Sequence, residues 1–286
     1  MIGVPDPRYH RRVSHPLVYA HRGGAALRPE NTIAAFDYGL ALGADGLELD
    51  VHLSRDGVVV VHHDATLERT TNARGPVCRM TAEELAGLDA GYWFQPSVEG
   101  THSADPTGEY PCRGKTGGVP TLREVLKRYP EVPLIIELKL NEPELARRTI
   151  DELRATHSVD RAALGSFYYR VLRAARAYEP CIRTGAAREE MRWALYRSWV
   201  RWPLGRPAYH EFQVPERSGR TIIVTPQFIA YARRAGLPVK VWTINDATDM
   251  DRLLRWGASA LISDRPDLAV AVRSAVLNGT GRGGQS

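Results

Sequence analysis

Short apolar runs alternate with segments of helical period along most of this chain, and that rhythm limits the fold more than any other feature of the sequence. Nine runs read as strands: 17–20, 46–51, 58–61, 134–138, 162–167, 183–186, 210–214, 239–243 and 260–262. Helical segments lie between most of them. After the first run, Asn31 is expected to cap a helix in which Ile33, Phe36 and Leu40 share a buried face and Gly43 supplies the stop. Repeated strand–helix units place parallel strands in an α/β domain. At 286 residues the natural closed form is a (β/α)8 TIM-type barrel. Nine strands are one too many for it. The run at 58–61 follows the second strand after the tight turn Arg55-Asp56-Gly57 with no helix between, so it is either a barrel stave or a hairpin partner. No GxGxxG follows a strand, which weakens a dinucleotide-binding reading.

The rhythm lapses between about 65 and 118, where Gly, Pro, Thr and Ser are frequent. A long irregular stretch inside a compact domain is usually functional or disordered, and Tyr92, Trp93 and Phe94 argue against full disorder. The expected organisation is an irregular lead-in at 1–13, one barrel domain at 14–277 carrying a small inserted subdomain at 65–118, and a Gly-rich flexible tail at 278–286. The net charge of +5 comes without a lysine or arginine block, which argues against nucleic acid and suits an anionic substrate or an anionic membrane surface. There is no signal-peptide apolar region and no run of transmembrane length. Three cysteines without metal-ligand spacing argue against a disulfide framework and suit a cytoplasmic location.

Polar residues gather at the ends of the early strands. Glu48 and Asp50 are two apart in one strand, so both point to one face. Like charges placed this way need a cation, either a metal or an arginine. Glu137 and Lys139 repeat the arrangement at the C-terminal end of their strand, the end where barrel active sites form. Three carboxylates at one rim suit a hard divalent cation, Mg²⁺ or Ca²⁺. His21 ends the first strand, and Arg22 beside it offers a fork for phosphate. His62 and His63 point to opposite faces, so one of them enters the site; the pattern leaves open which. Two histidines at such a rim suit a general base and a general acid.

Taken together, His21-Arg22-Gly23, Pro29-Glu30-Asn31-Thr32, Glu48-Leu49-Asp50, His63-Asp64, the Leu67-to-Thr71 run, Pro120-Thr121-Leu122, Ile136-Glu137-Leu138-Lys139, Val241-Trp242-Thr243 and Ser263-Asp264-Arg265-Pro266 make a chain that resembles the glycerophosphodiester phosphodiesterase family. These motifs occur in order from about residue 17 to 268. The resemblance implies a barrel with an insertion after the early strands and metal-dependent hydrolysis of glycerophosphodiesters to glycerol 3-phosphate and an alcohol. It implies that Glu48, Asp50 and Glu137 hold the metal, that His21 and His63 are the acid–base pair, that Arg22 and Lys139 hold the phosphate, and that Trp242 lines the pocket. Two other functions were weighed. One is a lysophospholipase D-like enzyme on larger lipid substrates. The other is a non-catalytic barrel that binds phosphorylated ligands, against which every expected catalytic position is filled.

The segment 189–206 is rich in Trp and Arg. Trp193, Tyr196 and Val200 can share a helical face with Arg192, Arg197 and Arg201 interleaved. The favoured expectation is an outer barrel helix whose aromatics pack inward. The alternative is weak peripheral contact with an anionic membrane.

Overall fold

The computed structural model of the chain describes residues 15–96 and 109–280. The expected lead-in at 1–13 lies outside these, as do residues 281–286 of the expected tail. The strands are β1 (Leu17–His21), β2 (Gly46–Leu53), β3 (Val59–Val61), β4 (Leu134–Leu138), β5 (Ala162–Gly165), β6 (Arg183–Thr184), β7 (Phe212–Pro215), β8 (Arg217–Ser218), β9 (Thr221–Ile222), β10 (Val239–Trp242) and β11 (Ala260–Ser263). Eight of them run parallel in the order β6-β5-β4-β2-β1-β11-β10-β7. The two ends of this sheet meet. Gly185 bridges Glu211 in parallel, the Ala186 N–H donates to the Glu211 carbonyl at 3.0 Å, and the His210 N–H donates to the Thr184 carbonyl at 2.9 Å. The sheet thus closes as a (β/α)8 TIM-type barrel.

Strand period two sorts the barrel residues into two sets. Val18, Ala20, Leu47, Leu49, Val51, Ile136 and Leu138 face outward into the main core with the helices. Those helices are α1 (Ile33–Ala41), α2 (Ala82–Ala86), α3 (Leu122–Arg128), α4 (Pro143–Ala155), α5 (Tyr169–Tyr178), α6 (Arg188–Trp199), α7 (Pro226–Arg234), α8 (Ala247–Trp256) and α9 (Pro266–Thr280). Leu17, Tyr19, Ile135, Ala260 and Ile262 face inward as a second cluster. Gly46 makes room for one of these: a Cβ there would lie 2.6 Å from the Tyr19 ring. The inner apolar layer closes the barrel below the polar residues at the strand ends.

The structure decides the ninth strand. β3 pairs antiparallel with β2 in the register Val51–Val61, His52–Val60 and Leu53–Val59, so it is a hairpin partner and not a stave. A tight turn can reverse the chain but cannot span a parallel crossover. Asn31 is not the cap of α1. Thr32 is, its side chain accepting from the Ala35 N–H at 3.1 Å, and Asn31 sits in a left-handed conformation with φ 58°. The hairpin of β8 and β9 was not anticipated; its strands are too short to show a period. The last helix runs to Thr280, past the expected end at Leu277.

Between 65 and 118 the described residues form a bridge from Thr66 to Pro76, a short 3-10 turn at Val77–Arg79, and α2 with the capping box of Thr81 and Glu84. Leu67, Val77 and Leu85 pack with Val60 and Val119 in an apolar cluster separate from the barrel core. Among the described residues, no helix is long and apolar enough to cross a membrane.

One expectation is overturned on α6. This helix buries Met191, Ala194, Leu195 and Ser198, spaced i, i+3, i+4, i+7. Trp193 and Tyr196 lie on the opposite side and are exposed, as are Trp199, Val200 and Trp202. The small residues Ala194 and Ser198 bring the helix close to the barrel, so the aromatics have no room on the inner side.

Candidate active site

The C-terminal ends of β1, β2 and β4 and the residues following β3 line one end of a cleft of about 700 Å³. From β1 comes His21. Its Nδ1 lies 2.6 Å from Asp264 Oδ1, and its Nε2 lies 3.7 Å from Glu48 Oε2. Burial alone would lower the His21 pKa, but the Glu48 and Asp264 carboxylates outweigh it and raise it to about 8. Asp264 is itself held: Asn245 Nδ2 donates to its Oδ2 at 2.8 Å.

The next residues turn sharply. Arg22 is left-handed with φ 51°, and its N–H donates to the Glu48 carbonyl at 2.9 Å. Its guanidinium turns inward, with Nη1 on Glu30 at 3.0 Å and Nε 3.1 Å from Asp50 Oδ2. Gly23 permits the turn: with φ 89°, a Cβ there would lie 2.7 Å from the Ala35 backbone.

Strand β2 delivers Glu48 and Asp50, both buried. Burial, then the charge of Asp50, pushes Glu48 up to about 8. Burial opposes ionisation of Asp50 as well, but Arg22 and Lys139 outweigh it and hold Asp50 below the usual carboxylate range. Asn31 Nδ2 donates to Asp50 Oδ2 at 2.9 Å. From β4, Glu137 joins them, pushed upward by burial, and Lys139 Nζ lies 3.2 Å from Glu137 and 3.3 Å from Asp50. One ligand atom from each of Glu48, Asp50 and Glu137 lies within 4.8 Å of the others.

His63 follows the β2–β3 hairpin and lines the cleft. Its Nδ1 lies 2.6 Å from Asp64 Oδ1, and burial holds the ring below its usual value. Arg69 locks this corner, with bonds of 2.7 Å to Asp64 and 2.7 Å to Glu30. His62 points away and pairs with the Thr66 carbonyl at 3.1 Å, so His63 is the histidine that reaches the cleft. At the other end the cleft turns apolar: Phe167, Met191, Leu195, Ile223 and Trp242 line it. Trp242 and Phe167 meet edge to face at 6.0 Å. All eight expected site residues are therefore brought together; seven line the cleft, and Asp50 sits just beneath its wall, touching it through Arg22 and Lys139.

Residues 21–268 match the profile of the glycerophosphoryl diester phosphodiesterase family. The chain belongs to that family. It is a hydrolase, a phosphodiesterase by family, on a TIM-type fold. A glycerophosphodiester phosphodiesterase of Caldanaerobacter subterraneus subsp. tengcongensis is 30% identical over 261 residues, covering 89% of this chain and 96% of that protein. A phosphodiesterase of Oleispira antarctica, solved in complex with the product sn-glycerol-3-phosphate, is 27% identical with a TM-score of 0.69 and covers 91% of this chain and 97% of that one. A lysophospholipase D of Mus musculus is 37% identical over 133 residues, covering 45% of this chain and 38% of that protein.

Four site residues have partners at the site that no local sequence pattern reveals. Asn31 reads as a cap in the sequence, but its bond to Asp50 spans two elements. Asp264 was a motif member without a role, and Glu30 and Arg69 likewise. The signal available was their position inside the motifs; the contacts that use them come only from the fold.

Proposed function

We propose that this chain hydrolyses glycerophosphodiesters to glycerol 3-phosphate and an alcohol at the Glu48–Asp50–Glu137 rim. The observation that carries this reading is the meeting of three carboxylates with two carboxylate-backed histidines at one end of a cleft. A divalent metal fits the three carboxylates. They are hard oxygen donors, and Asp50 Oδ1 accepts no hydrogen bond among the described residues although Lys139 stands 3.3 Å away. Burial, then the neighbouring Asp50 charge, raises Glu48 to about 8, and a bound cation would favour its ionised form. When bound, Mg²⁺ or Ca²⁺ would polarise the phosphoryl oxygens and screen the anionic diester.

The chain's own residues supply the rest. Arg22 and Lys139 neutralise charge on the phosphoryl oxygens. Asp264 and Asp64 each take the Nδ1 side of a histidine, leaving Nε2 of His21 and of His63 for the substrate. One ring removes a proton from the nucleophile, and the other gives a proton to the leaving alcohol oxygen. The nucleophile is water, or the glycerol hydroxyl of the substrate with a cyclic phosphate as first product. Trp242 walls the pocket. We place the barrel domain from β1 to the end of the last helix at Thr280 and treat 65–118 as an inserted subdomain whose Arg69 holds Asp64 and so steadies His63.

The apolar wall of Phe167, Met191, Leu195 and Ile223 favours a second reading, a lysophospholipase D-like activity in which the glycerol carries an acyl chain and the products are a lysophosphatidic acid and the head-group alcohol. One assay tests both. Head-group alcohol release is followed from glycerophosphocholine and from lysophosphatidylcholine, the phosphorylated product being glycerol 3-phosphate or lysophosphatidic acid, with EDTA and then Mg²⁺ or Ca²⁺ added back. Activity is expected to vanish in EDTA and return with the cation. Undiminished turnover in EDTA would overturn the metal assignment, and release confined to lysolipids would select the second reading.

A further inference from the structure

Three of the six tryptophans fall between 193 and 202, and all three face solvent, with Trp193 66%, Trp199 58% and Trp202 64% exposed. A folded chain does not ordinarily leave so much aromatic surface together without an occupant. Tyr196 adds to the patch, its ring edge to face with Trp193 at 6.1 Å. The helix is already fully engaged with the barrel through its other side, so these aromatics are not a core face awaiting internal packing.

The charges around the patch have one sign. The stretch 188–206 holds five arginines against two glutamates, and Glu190 is spent on Arg176 at 2.7 Å. Arg192, Arg201 and Arg206 are exposed and, among the described residues, make no ion pair. Indole rings with interleaved guanidinium groups on an outer helix suit the boundary between lipid headgroups and acyl chains: each ring has an apolar body and a polar N–H, and the arginines meet anionic headgroups. The same helix lends Arg188, Met191, Arg192 and Leu195 to the wall of the catalytic cleft, so the patch and the cleft share one element.

The geometry points to α6 and the turn after it as a docking surface for an anionic lipid bilayer. The docking stands on the exposed patch alone and does not depend on the activity proposed above. A lipid surface accounts for both halves of the patch. The aromatics enter the interface, and the arginines remain at headgroup depth. A second copy of this chain would offer the first contact but bring its own arginines against these.

Flotation of the full chain with phosphatidylcholine vesicles, with and without phosphatidylglycerol, reads docking without any turnover. Binding to the anionic vesicles is expected, weakened by salt and accompanied by a blue shift of tryptophan emission. Combining Trp193→Ala, Trp199→Ala and Trp202→Ala is expected to lower vesicle binding by about tenfold or more, since each indole removed deletes buried apolar area. Turnover of a water-soluble diester by that variant should stay at the parent level, because none of the three lines the cleft. The double charge reversal Arg201→Glu with Arg206→Glu leaves every ring in place and should also release the chain from anionic vesicles. Parent chain that stays off anionic vesicles overturns the proposal, as does undiminished binding by both variants. A dimer that the tryptophan variant dissolves, with no vesicle binding by the parent, would assign the patch to a second copy instead. Loss of diester turnover in the parent would leave the vesicle result standing and strike only the activity.

Discussion

Each histidine at the cleft is held from behind by a carboxylate, and the two pairs are built differently. His63 and Asp64 are chain neighbours, whereas His21 at the end of β1 reaches Asp264 at the end of the neighbouring β11, itself fixed by Asn245. The second arrangement makes Asp264 a positioning residue with a measurable effect. Asp264→Asn keeps the shape but removes the charge that selects the His21 tautomer; kcat should fall by about 10²–10⁴-fold with KM little changed. His21→Ala, His63→Ala and Glu48→Ala should each nearly abolish turnover while the circular dichroism spectrum and the unfolding midpoint persist. Near-parent turnover in any one removes the role assigned to it. His62→Ala is the contrast: its ring serves the Thr66 carbonyl and not the cleft, so turnover should survive.

Elements aim these groups. Strand β2 places Glu48 and Asp50 on its inward face, and the hairpin to β3 returns the chain so that the His62 N–H donates to the Asp50 carbonyl at 3.0 Å and His63 follows at the rim. A crossover helix at that point would carry His63 away from Asp50. Helix α3 then leads into β4, which delivers Glu137 and Lys139. Its start is secured by a capping box in which Thr121 accepts from the Glu124 N–H at 3.2 Å and Glu124 accepts from the Thr121 N–H at 2.7 Å. Thr121→Ala should lower the free energy of unfolding by about 1 kcal/mol, read by urea titration, with kcat unchanged. A larger loss accompanied by reduced kcat would mean that the cap also sets the position of β4.

At the scale of the whole molecule, barrel closure creates a charged layer inside. Glu211 is fully buried beside β7, with Lys240 Nζ at 2.8 Å and Arg183 at 3.0 Å. Burial alone would raise the Glu211 pKa, but the two cations outweigh it and hold it at about 2. Because the folded value lies below the unfolded value of about 4.3, the unfolded chain binds more protons between them. The stabilisation is therefore present above about 4.3 and is lost as pH falls towards about 2. Urea midpoints measured across that window should fall with a proton-linked slope that Glu211→Gln removes. At neutral pH that variant should be less stable by about 3–5 kcal/mol, because it leaves Lys240 buried without its counter-charge. Equal neutral-pH stability would show that Lys240 finds another partner.

The sequence by itself determined what is local. Strand and helix periods and the carboxylate pair of β2 were legible, because each depends on neighbours within a turn or a strand, and the repeated strand–helix rhythm gave the barrel. Tertiary structure decided what depends on distant partners. It made β3 a hairpin, turned His63 and not His62 into the cleft, and made Asn31 a partner of Asp50 rather than a cap. It also exposed Trp193 and Tyr196. Helical period offers α6 two amphipathic faces, one small and aliphatic, one aromatic, and only the space left beside the closed barrel selects the small one. Periodicity says which residues share a face; where that face points is set by the packing of the whole chain.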